Sequence, residues 1–163
     1  MMTPAQQAEQ EQERIAQQLL QWRADRVALV MAVDTAQVQA TQRAAGAAAP
    51  RAAAVAACHQ LRADLAMLDQ VIRRYTAQWR VAQRAMLVAQ LAEREAQRAH
   101  VLVALAERQQ TAALQAARVS SPDHATAFAA DPTTSQLRMR ARLLEHSSSY
   151  LAGCIEDVDG GYR

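Results

Sequence analysis

The sequence predicts an all-α protein: an elongated antiparallel coiled-coil hairpin with a short third helix packed on a long second one. Three observations carry this expectation. Apolar residues recur in a 4-3-4-3 ladder, first at Ile15, Leu19, Trp22, Leu29 and Val33 with Arg26 as the one polar member. The ladder resumes without a gap at Cys58, Leu61, Leu65, Leu68, Ile72, Tyr75, Trp79, Ala82, Met86 and Ala89. That spacing averages close to 3.5 residues, the repeat that lets two helices wind together by knobs-into-holes packing. Second, much of the 51% hydrophobic content is alanine and only 4% of residues are aromatic, so little area is buried per residue and seams must carry the fold. Third, only 4 glycines interrupt a chain rich in Ala, Gln, Arg, Glu and Leu, all good helix formers.

Each element follows in order within a single helical domain, residues 1 to 163. Thr3 is an N-cap and Pro4 occupies the first helical position, where its missing N–H costs nothing, so the first helix runs from 4 to 45. Gly46 suits a helix C-terminus and Pro50 the opening turn of the next, which places the joint there. The second helix spans 50 to 119, on the order of 100 Å at the helical rise, and ends at Ser120-Ser121-Pro122. Folding back about the joint brings Trp22 near Tyr75 and Trp79, in one aromatic layer that pins the register. The third helix covers 133 to 151, with Leu137, Ala141, Leu144 and Leu151 on one face, and the acidic, glycine-containing tail from 153 to 163 is mobile.

Charge and motifs exclude more than they assign. All 18 basic residues are arginine against 16 acidic ones, and a formal net charge of +2 gives no field to draw nucleic acid over distance. The polar start lacks a basic and apolar leader and no window is apolar enough to span a bilayer, so the expected location is cytoplasmic, or outside by a route that leaves no Sec-type signal, without membrane insertion. Cys58 is a small seam residue and Cys154 a free thiol rather than disulfide partners. His59, His100, His124 and His146 lack the i, i+4 spacing of a zinc site, and His100 is read as a packed neutral imidazole. Neither a nucleophile elbow nor a phosphate-cradling glycine loop occurs, so no catalytic, cofactor or metal residue is assigned and a non-enzymatic role is expected.

The candidate site is a second 4-3 line on the long helix. It runs through Arg73, Ala77, Arg80, Arg84, Leu87, Leu91, Arg94, Arg98, Val101, Leu105 and Arg108, arginine pairs alternating with aliphatic pairs. Arginine lays an apolar stem along a surface and offers bidentate bonds to carboxylates, which suits a protein interface. Arg73, Arg80, Arg84, Leu87, Leu91, Arg94 and Arg98 are therefore the partner-binding candidates. The competing reading is that Leu87, Leu91, Val101 and Leu105 are seam, covered by the third helix with arginines at its edge.

A lysine-free, Ala/Gln/Arg-rich helical hairpin with a long second helix, over residues 4 to 119, resembles the stalk proteins of flagellar and type III secretion export ATPases. The resemblance implies a two-helix coiled coil in the centre of a hexameric ATPase, linking it to the membrane export gate or to chaperones. An early joint and a third helix depart from that pattern of two nearly equal arms, so no functional residue carries over. The alternative function is a helical chaperone or a granule- or surface-coating protein that binds exposed apolar surfaces.

Overall fold

A computed structural model describes residues 2–42, 48–119 and 131–160. They form three helices, α1 (Pro4–Gln42), α2 (Ala48–Val119) and α3 (Pro132–Gly160), with no strand among the described residues. The chain divides into two compact units, Glu9–Gln83, and Met1–Ala8 together with Arg84–Arg163.

The start of α1 follows its capping chemistry. Thr3 Oγ1 accepts from the Gln6 N–H at 3.2 Å while Gln6 Oε1 accepts from the Thr3 N–H at 2.9 Å. This reciprocal box satisfies two of the donors that a helix start leaves without intrahelical partners. The expected end at Ala45 and the Gly46 joint lie outside the described residues. Helix α2 begins at Ala48, ahead of Pro50. Proline is tolerated there because none of the first N–H groups has an intrahelical acceptor to lose.

Within the unit Glu9–Gln83, α1 and α2 run in opposite directions. Partner numbers fall as residue numbers rise: Trp22 meets Tyr75, Arg26 reaches Asp69 and Gln37 accepts from Arg62. Ile15, Leu19, Val33 and Cys58 are buried, and Trp22, Leu29 and the ladder from Leu61 to Ala82 are half-buried. Arg26, the polar member of the ladder, is exposed and tied by its Nε–H to Asp69 at 2.6 Å, so a charge at the seam is matched across it. The aromatic layer forms only in part. Trp22 and Tyr75 stack tilted at 55°, with ring centroids 6.3 Å apart, and among the described residues no ring contact joins Trp22 to Trp79.

In the second unit, α3 packs on the later part of α2, again antiparallel. Val101 and Leu105 of α2 and Ala141 and Leu144 of α3 form a buried cluster with Leu137 against it. Helix α3 differs from expectation at both ends. Pro132 is its first residue, and Asp131 caps it by accepting from the Thr134 N–H at 2.9 Å and hydroxyl at 2.8 Å. At the other end the segment 153 to 160, expected to be mobile, is helical through Gly160. The reason is a 3-4 line that continues past Gly153: Thr134, Leu137, Ala141, Leu144, Ser148, Leu151, Ile155 and Val158 are all buried or half-buried.

Candidate interaction surface

The arginine stripe divides by what its members touch. Arg84 Nε–H donates to Asp159 at 2.8 Å, Arg98 Nη2 to Glu145 at 2.9 Å, and Arg108 Nη2 to Asp131 at 3.0 Å. Leu87, Val101 and Leu105 are buried, between 6% and 8% exposed. Arg84, Arg98 and Arg108 therefore tie α3 to α2, with Val101 and Leu105 packed in the contact. Two of the seven candidates, Arg84 and Arg98, are thus engaged with α3 inside the chain, and a third, Leu87, is buried.

The other four stand differently. Arg73 is exposed, Leu91 is half-buried, and Arg94 is exposed and donates to Gln97 one turn away at 3.3 Å. Arg80 is exposed and has an interaction of its own. The acidic partners Asp131, Glu145 and Asp159 were not singled out from sequence. A signal for them existed: Arg84 and Arg98 stand two heptads apart, and so do Glu145 and Asp159. Equal heptad spacing on two antiparallel helices is what repeated charge pairs across a seam require.

Electrostatics are local. The Asp131 carboxyl is held below its ordinary range by the Thr134 hydroxyl and backbone N–H, with the Arg108 guanidinium adding to the effect. Arg14, one turn on, lowers Glu11 and is itself raised. The Asp69 carboxylate raises Arg26. Contact with the Cys154 thiol raises the Tyr150 hydroxyl above its usual value. Both thiols are free, Cys58 buried and Cys154 half-buried.

No imidazole among the described residues sits in a ligand cluster, and no group of three or more His, Cys, Asp or Glu side chains gathers to hold a metal ion there. His100 is exposed rather than packed, because the buried line of α2 runs through Leu87, Val101 and Leu105 and leaves residue 100 beside it. His124 lies outside the described residues. A shallow cleft of about 260 Å3 is lined by Gln37, Ala40 and Thr41 of α1 and by Val55, Cys58, His59 and Arg62 of α2. No described helix is long and apolar enough to cross a membrane.

No protein-family model, curated protein or solved structure matches the chain.

What the helices present outward is apolar as well as charged. Leu20, Met31, Met67, Met139, Leu143 and Tyr150 are each 64% to 68% exposed, on helices whose opposite faces are already packed. Large apolar side chains scattered singly are ordinary on a surface, whereas lines of them at helical spacing mark contact faces.

Proposed function

We propose that this chain is a non-enzymatic coiled-coil interaction protein, with α1 and the first part of α2 as an antiparallel coiled-coil hairpin, α3 packed on the later part of α2, and a protein as its partner. The observation that carries the reading is the pair of ties two heptads apart, Arg84 to Asp159 and Arg98 to Glu145, flanking a buried aliphatic line. Repeating charge pairs beside an apolar seam fix register and orientation, the properties a spacer or lever needs. Its specific role is that of the central stalk of a type III secretion export ATPase in the cytoplasm, with the export gate or chaperones as further partners. That role rests on the resemblance over residues 4 to 119.

Pull-down from the native host with mass spectrometry tests it. A hexameric ATPase should be recovered, and adding the chain should stimulate its hydrolysis; recovery of unrelated proteins with hydrolysis unchanged rejects the stalk role. The stripe can be tested in the same assay. Arg94→Glu should weaken capture and leave the melting temperature unchanged, with Arg73 and Leu91 as its companions at the partner surface. Arg84→Glu places a like charge against Asp159 and should instead loosen the C-terminal end of α3.

A second reading, a helical chaperone or granule- or surface-coating protein, is favoured by the exposed Met31, Met67, Met139 and Leu143, since flexible thioethers adapt to varied apolar surfaces. Suppression of aggregation of a heat-denatured client by the isolated chain would favour it over the stalk reading, which does not require that activity.

A further inference from the structure

Helix α1 carries two lines. One, from Ile15 to Val33, faces α2. The other comprises Leu20, Ala24, Val27, Met31, Asp34 and Val38, spaced 4-3-4-3-4 on the opposite side, and all six are exposed. Leu20, Val27, Met31 and Val38 are 66%, 59%, 65% and 53% exposed, so this side of α1 has no cover among the described residues of its unit.

The spacing of the outer line reads the same in both directions, as any six-member 4-3-4-3-4 line does, and its large apolar members pair with one another on reversal. Reversed about the point midway between Val27 and Met31, it maps Leu20 onto Val38, Val27 onto Met31 and Ala24 onto Asp34. A face that matches itself after a half-turn is what a twofold interface requires, because each contact must be made twice with the roles exchanged. In an antiparallel coiled coil the facing layers join the two kinds of seam position, which are the pairs that this reversal produces. The polar layer is provided for as well. Asp34 falls opposite the small Ala24 of the second copy, beside its Arg23, and neither Arg23 nor Asp34 makes an ion pair with a described residue of its own chain. One Asp–Arg match on each side of the axis balances charge and penalises a slipped register.

We propose that two copies of this chain associate through the outer face of α1, antiparallel, about a twofold axis between Val27 and Met31. Two α1–α2 pairs then meet as four helices, with α1 of each copy between its own α2 and its partner's α1. The proposal goes beyond the partner-protein reading and is independent of whether that partner is an ATPase or an apolar client.

Sedimentation equilibrium on the purified full chain over a hundredfold concentration range tests it. The wild type should fit a monomer–dimer equilibrium. The double variant Val27→Glu with Met31→Glu should weaken association at least about tenfold with unchanged far-UV circular dichroism, since both side chains are exposed. Asp34→Arg alone should also weaken it, by setting two arginines side by side, and adding Arg23→Asp should restore it. A wild type that stays monomeric throughout overturns the proposal, as does a dimer indifferent to the Val27/Met31 change. A dimer lost in Asp34→Arg and not regained in the double charge swap overturns the antiparallel register. Association with a different protein through these residues, with no self-association, also counts against it.

Discussion

Trp22 shows how much one side chain can decide. Its ring meets Tyr75 across the α1–α2 contact, yet its Nε1–H is buried without a hydrogen-bond partner among the described residues, as is the Oε1 of Gln18 one turn earlier. An orphaned buried donor costs roughly 1–3 kcal/mol, which offsets part of what the indole contributes by burial. Trp22→Phe should therefore be milder than Trp22→Ala, and because the ring is only half-buried the alanine change should fall below the ~3–5 kcal/mol of a fully packed aromatic. In a double-mutant cycle Trp22 and Tyr75 should couple by about 0.5–1.5 kcal/mol. Denaturant titrations of the four proteins read this directly, and additive losses would mean that the rings do not support each other. Sequence alone gave Trp22 both Tyr75 and Trp79 as neighbours; the ladder sets which turn of α2 is opposite, but not which of two aromatics a tilted ring selects.

At the scale of elements, the start of α1 and both apolar ladders were legible because capping residues and seam spacing are local signals. The end of α3 was legible too and was misjudged. Gly153 and the acids Glu156, Asp157 and Asp159 look like a chain that has left its helix, whereas Leu151, Ile155 and Val158 continue the inner line through them. Packing outweighed a glycine that costs a helix interior only about 1 kcal/mol. Gly153 stands exposed within α3, and a methyl group there meets nothing within 4 Å. Gly153→Ala should thus stabilise the protein by roughly 0.5–1 kcal/mol, read as a rise in melting temperature. A fall would show that residue 153 needs a backbone conformation outside the helical range. The division of the arginine stripe was less legible, since the same line of residues serves an outer partner or a neighbouring helix, and only the placement of Asp159, Glu145 and Asp131 distinguishes the two.

For the molecule as a whole, acid is the informative perturbation. The Asp131 carboxyl titrates lower when folded than when unfolded, so within that window the unfolded chain binds more protons. Stability from this group is complete above the ordinary aspartate range and is lost as pH falls through the depressed folded value. Glu11 acts with the same sign through Arg14. Helical signal should therefore decline on acidification, and in Asp131→Asn, which keeps a capping oxygen but cannot titrate, the decline should be shallower. An identical acid profile for the two proteins would remove Asp131 from the account.

That one carboxylate holds two jobs at once. Its Oδ2 is both the cap that lets α3 begin, through Thr134, and the anchor that Arg108 grips from α2. Detaching this end of α3 from its neighbour and unwinding its first turn are consequently one event rather than two. Amide exchange should report Thr134 and Ser135 opening together with the Arg108 contact, in the manner of a catch whose release also slackens the strap it secures.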